Sequence, residues 1–148
     1  DASFPYVPTY LAYREIPVVE RLLESVEEGT VLMFDGNGII HPEGFGVTSQ
    51  IGVVFDLPTV GVAKKLLCGE VSAPSSRGTR EVRSDGRLIG YAISKDPGTK
   101  PVYVSAGHRV SSPQARAIAL RFLTHRVPEP TRLAHIAAGE ARRGAKSK

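Results

Sequence analysis

The stretch Val31-Leu32-Met33-Phe34-Asp35-Gly36-Asn37-Gly38 constrains the fold more than any other part of the chain. Four large apolar residues in a row leave neither face of a strand for water, so they predict a strand buried on both sides. An acid stands where the run stops, and two glycines around Asn37 let the backbone turn tightly and leave room beside it. In open α/β sheets, ligands bind just past the carboxyl ends of the strands. Asp35 is therefore either a turn-forming or capping aspartate, or an acid placed to hold a metal ion at the rim of a rigid core. The remainder of the sequence bears on that choice.

Preceding the strand, Thr9 can cap a helix that starts at Tyr10, and Pro17 kinks or restarts it. Leu11, Glu15, Val18, Leu22 and Val26 fall on one face of that helix, with Glu15 a charge on the stripe that meets the core. A buried carboxylate must be paired, hydrogen-bonded or bound to metal. Phe4-Pro5-Tyr6-Val7-Pro8 is a stiff, extended loop, because each proline fixes its own φ and restricts the residue before it. Such a loop either packs on the body as a clasp or displays Tyr6 as a wedge for a base stack.

Beyond the glycine turn, Val47, Ile51, Val54 and Phe55 form the apolar stripe of a second helix. Thr59-Val60-Gly61-Val62 is a short β-branched strand that delivers Lys64 at its end. Helix, strand, helix, strand implies parallel pairing with right-handed crossovers. Asp85-Gly86 marks a hairpin between Glu81–Ser84 and Arg87–Ile93. Pro101–Ser105 is a further strand, followed by Ala106-Gly107-His108-Arg109. Ser112 and Pro113 open a helix to about Arg126 with Ala117, Leu120 and Leu123 inward, and the last helix runs from Thr131 to about Arg142. Arg143, Lys146 and Lys148 form a basic tail expected to be disordered.

A chain of 148 residues is one domain's worth, and no second domain or repeat is visible. No run approaches the roughly 20 apolar residues that cross a bilayer. A net charge of +4 is compatible with a polyanionic partner without requiring one. The single Cys68 excludes an intramolecular disulfide and a thiolate zinc cluster, which suits a reducing, cytoplasmic setting. The abrupt start at Asp1, without methionine or signal peptide, points to a sequence that begins inside a longer protein.

Asp35, Lys64 and His108 each follow a predicted strand, and Glu15 faces inward from a helix, so the four are expected to converge at one sheet rim. Two neighbouring carboxylates repel unless a cation lies between them. Mg²⁺, a hard cation that takes carboxylates, water and phosphate oxygens, is the natural choice, with Mn²⁺ as a substitute. That set fits metal-assisted phosphodiester hydrolysis, with Lys64 or His108 handling charge or protons at the leaving oxygen. No GxGxxG, GxxxxGK[ST] or GxSxG motif offers an alternative chemistry.

Five stretches, PYVPTYLAYREIP, FDGNGIIHPEGFG, DLPTVGVAKKLLCG, VYVSAGHRVS and RVPEPTRLAH, stand in the order found in endonuclease V, the inosine-directed repair nuclease, and the chain resembles that family over nearly its whole length. The resemblance implies a ribonuclease H-like α/β fold, a mixed central sheet flanked by helices. It implies Glu15 and Asp35 as active-site acids, with Mg²⁺ bound, and Tyr6 as the wedge that parts the strands. It also implies His108 as the active-site histidine and Lys64 as the family lysine. Leu11, the Gly36–Gly38 turn, His41, Gly46, Val47 and Leu67 would line a pocket for a flipped hypoxanthine base. The expected partner is inosine-containing DNA or RNA, with no membrane, and the protein is expected to act as a monomer.

Three departures from the family pattern stand beside this. The family's other metal-binding aspartate lies on an early strand upstream of the PYVP loop, and the strands there are expected to be missing from this sequence, which would leave an open sheet edge. Thr9 replaces a glycine beside the base and narrows the pocket. Gln50 stands for a common histidine, and Glu43 for a common arginine, which puts a negative charge near bound phosphates. The alternative expectation is a remnant that recognises deaminated bases without cutting.

Overall fold

The computed structural model of the chain describes residues 12–73 and 78–146. Ten elements follow in order: α1 (Ala12–Leu23), β1 (Leu32–Asp35), α2 (Val47–Phe55), β2 (Thr59–Ala63), β3 (Glu70–Val71), β4 (Thr79–Ser84), β5 (Arg87–Ile93), β6 (Val102–His108), α3 (Ser112–Arg121) and α4 (Glu129–Lys146). The strands form one sheet in the order β1-β2-β6-β5-β4-β3. Only β1 and β2 run parallel, and every other neighbouring pair is antiparallel. The mixed α/β architecture expected from sequence is present.

Burial explains this order. All five residues of β2 are buried, which is what its β-branched run predicts for a strand covered on both faces. On one face Val60 and Val62 pack with Tyr91, Ile93, Val102 and Val104 beneath Ala115 and Ala119 of α3. On the other, Ile40, Val82 and Ala92 form a smaller cluster with Leu66, Cys68 and Tyr103. Helix α2 lies over β2 and β6 and carries α1 against it, while α4 packs near β1. Asp85 and Gly86 both take positive φ, 48° and 76°, as the hairpin between β4 and β5 requires.

Several local expectations change. β1 is not buried on both faces: Leu32, Met33 and Phe34 are half-buried and Asp35 is exposed. The reason is its place at the end of the sheet, with β2 its one neighbour among the described residues. In α2 the buried side is Thr48, Ser49, Ile51 and Gly52, whereas Val54 faces out. In α3 the inward positions are Ala115 and Ala119, and Leu120 is exposed. Small residues there let the helix lie close on the sheet, so apolarity alone misjudged the phase.

Helix α3 stops at Arg121, and α4 begins at Glu129, two residues earlier than expected, because Pro130 in a first turn sacrifices no hydrogen bond. Arg143 and Lys146, expected in a basic tail, lie in the last turns of α4. No helix among the described residues is long and apolar enough to cross a membrane.

Candidate active site

Parallel pairing of β1 with β2 brings their carboxyl ends to one rim, and Asp35 pairs with Val62 in register. Lys64 follows β2 directly, so its side chain reaches the acid: Nζ donates to Asp35 Oδ2 at 2.9 Å. Both side chains remain about half exposed, at 45% and 50%. Two of the expected site residues are therefore joined where ligands bind in such sheets.

A cavity of about 290 Å³ opens beside this pair, and its far wall comes from the segment joining α3 to α4 and from α4 itself. Arg126, Thr131, Arg132 and His135 line it with Asp35 and Lys64. Glu129 organises that wall. It accepts from Arg132 Nε and Nη2 at 2.8 and 2.6 Å, and from Thr124 Oγ1 at 3.3 Å, with His125 Nδ1 at 3.1 Å. The Arg132 hydrogen bonds chiefly hold the Glu129 carboxyl down to about 2, so the pair stays charged at any ordinary pH. The Glu129 amide donates to Phe122 O at 2.9 Å, and Thr131 Oγ1 to the carbonyl of Pro128 at 2.8 Å.

His108 does not join this site, which corrects the expected convergence. Strand β6 runs through to His108 and is antiparallel to β2, with His108 opposite Thr59. It therefore lies at the amino end of β2, roughly 13 Å of strand from the Lys64 end. There its Nε2 is 3.1 Å from Asp56 Oδ1, and Arg109 Nη2 meets Asp56 Oδ2 at 2.8 Å. His108 ties the end of β6 to the end of α2. The histidine on the cavity wall is His135, whose helix position has no sequence link to the strand rim. The only signal was its place in the RVPEPTRLAH stretch, three residues after Arg132 on the same helix.

The glycine turn is built against the protein itself. Gly46 N–H donates to Gly38 O at 2.9 Å and Thr48 N–H to Asn37 O at 3.1 Å, bringing Gly36, Gly38, Gly46 and Val47 close together. A methyl group at Gly38 would meet Ala106 O at 1.9 Å, and one at Gly46 would meet Asn37 O at 2.3 Å. The missing side chains at these two positions thus admit backbone, not a base. Asn37 Oδ1 is buried in this turn without a hydrogen-bond partner. His41 comes next, with Nδ1 accepting from the Glu43 amide at 3.2 Å. Leu67 is half-exposed between β2 and β3. Tyr6, Thr9 and Leu11 lie outside the described residues, and of Glu15 the backbone alone is described, within α1.

Among the described residues, no group of three or more His, Cys, Asp or Glu side chains is arranged to hold a metal ion. Among the described residues that line the cavity, Asp35 is the one carboxylate. Its exposed oxygens still suit Mg²⁺, which commonly takes one or two carboxylates and completes its shell with water and substrate phosphate.

Comparison with known proteins gives concordant matches. A family model described as Endonuclease V matches residues 1–136. The Endonuclease V of Thermus thermophilus is 46% identical over 147 residues, which is 95% of this chain and 65% of that protein. The chain thus spans just under two-thirds of that relative's length. The crystal structure of Endonuclease V from Streptomyces avermitilis is similar with a TM-score of 0.87 at 38% identity, over 99% of this chain and 66% of that one. Ciona intestinalis Endonuclease V, crystallised with a 23mer DNA containing an inosine followed by a ribo-adenosine, gives a TM-score of 0.83 at 27% identity, over 98% and 70% of the two chains.

Proposed function

Since this chain belongs to the endonuclease V family and has its ribonuclease H-like fold, we propose that it is a metal-dependent endonuclease of nucleic-acid repair, cutting a phosphodiester bond 3′ to inosine in DNA or RNA. The observation that carries this reading is the Asp35–Lys64 pair at a shared strand rim, beside a cavity walled by Arg126, Arg132 and His135. An acid facing a cluster of cations suits a phosphodiester: the acid serves a metal ion, and the cations serve the anionic oxygens.

In this reading Lys64 orients the Asp35 carboxylate and then offsets charge on the phosphoryl oxygens. His135 hands a proton to the leaving oxygen, a task that sequence reasoning left between Lys64 and His108. Mg²⁺, or Mn²⁺ in its place, would polarise the phosphoryl group when bound at Asp35. Glu15 as the second acid and Tyr6 as the wedge enter on the family resemblance alone. Action as a monomer in the cytoplasm completes the proposal.

One observation favours a second reading, recognition without cutting: among the described residues that line the cavity, Asp35 is the one carboxylate. An inosine-containing oligonucleotide, incubated with and without Mg²⁺, separates the two, because a remnant binds it and leaves it whole. Asp35→Asn should lower Mg²⁺-dependent cleavage by at least about 100-fold. Binding in EDTA should be largely spared, since the change removes charge and not bulk. Wild-type cleavage by this variant would sink the role given to Asp35.

A further inference from the structure

Among the described residues, the cavity beside Asp35 is lined by more positive charge than that carboxylate balances: Lys64, Arg126 and Arg132 face one acid, Asp35. Two of the three cations are committed, Lys64 to Asp35 at 2.9 Å and Arg132 to Glu129 through two hydrogen bonds. Arg126 has no ion pair or hydrogen bond among the described residues, although it is three residues from Glu129. Arg132, His125 and Thr124 already occupy that carboxylate.

Arg126 is also carried on a braced segment. Pro128 is fully buried, the Glu129 amide is bonded back to Phe122, and Thr131 is bonded to Pro128. An exposed guanidinium on a fixed backbone, lining a concave surface and unpaired among the described residues, is suited to an oxyanion. Its fork of N–H groups matches two oxygens of one phosphate.

We propose that Arg126 binds a phosphate of the nucleic-acid backbone next to the phosphodiester held at Asp35 and Lys64, and so sets the register of the strand in the site. The identity of the anion as a polynucleotide phosphate rests on the nuclease reading above. The contact is to the backbone and carries no base preference, so Arg126 contributes equally to strands with and without inosine.

Salt dependence tests this without any need for cleavage. Binding of the chain to a fluorescent inosine-containing single strand and duplex is followed by anisotropy in EDTA, from about 50 to 200 mM salt, where each phosphate contact weakens binding in proportion to the counterions it releases. Arg126→Ala should weaken binding and make the slope of log K against log salt shallower by about 0.7 on the single strand and about 0.9 on the duplex, the value of one phosphate contact. Arg126→Lys keeps the charge and should restore the slope while recovering only part of the affinity. That restoration ties the effect to charge and not to a damaged fold. A wild-type slope in Arg126→Ala overturns the inference whatever its affinity, and so does a shallow slope that Arg126→Lys fails to restore. The nuclease reading fails separately. Wild-type protein that binds strands with and without inosine equally, and cuts neither with Mg²⁺, would sink it. A slope lost in Arg126→Ala and restored in Arg126→Lys would still support a phosphate contact.

Discussion

Gly38 is the residue on which the site's local geometry turns. Its amide donates to Ser105 Oγ at 2.9 Å and the next amide, of Ile39, donates to Ala106 O at 2.9 Å, so the turn after β1 is drawn flat onto β6. A Cβ here would stand 1.9 Å from a strand carbonyl, an atom that no rotamer change can move. Gly38→Ala should therefore destabilise the protein by about 2–3 kcal/mol, at the upper end for overpacking. Urea unfolding measures this, and a variant as stable as wild type would mean that the turn can lift off the sheet. The need for glycine in this turn was legible in the sequence. What each glycine makes room for was not, because the occupant of the space, Ala106, lies 68 positions along the chain. Gly38 and Gly46 serve contacts with backbone, which leaves no open space at either position.

At the scale of elements, strand direction decides which residues meet. Most strands and helices were legible from periodicity and turn chemistry, including the hairpin at Asp85-Gly86. A strand's tip, however, says nothing of which rim it reaches. The short turn between β5 and β6 makes those two antiparallel, but the pairing of β6 with β2 is a long-range event without local signal. His108 was consequently assigned to the wrong end of the sheet, while His135, on a helix face, carried no strand cue at all. Polarity thus predicts opposite outcomes for the two histidines. His135→Ala should lose about 100-fold or more in Mg²⁺-dependent cleavage, the usual share of a general acid, with little change in thermal midpoint. His108→Ala should keep cleavage within about threefold, well short of a general acid's share, and lower the midpoint, since it removes a tie from β6 to Asp56. Parallel assays of cleavage and melting check both. A cleavage defect confined to His108→Ala would reverse the assignment.

For the molecule as a whole, the acid of the site stands at the end of β1, the outermost strand among the described residues, in a sheet whose stability is concentrated in its middle. β2 and β6 are the buried centre, whereas β1 is half-exposed with β2 its one neighbour among the described residues. Local opening tracks such gradients, because amides with few buried contacts exchange at lower cost. In β1 the bonds to β2 alternate. Leu32 N–H donates to Pro58 O at 2.9 Å and Gly36 N–H to Val62 O at 3.1 Å, so Met33 and Asp35 turn their amides to the open side. Asp35 is held less by its strand than by the Gly36–Ile39 turn, which is bonded to β2, Ser105 and Ala106. The site's carboxylate is thus fixed from its carboxyl side, which lets a half-exposed strand carry a positioned acid. Native-state hydrogen exchange should find the Met33 and Asp35 amides nearly unprotected, with Gly38 and Ile39 protected almost as strongly as β6. Strong protection at Met33 and Asp35 would mean that another segment or another molecule pairs with the edge of β1 in solution. Weak protection at Gly38 and Ile39 would refute the role of the turn in holding Asp35 in place.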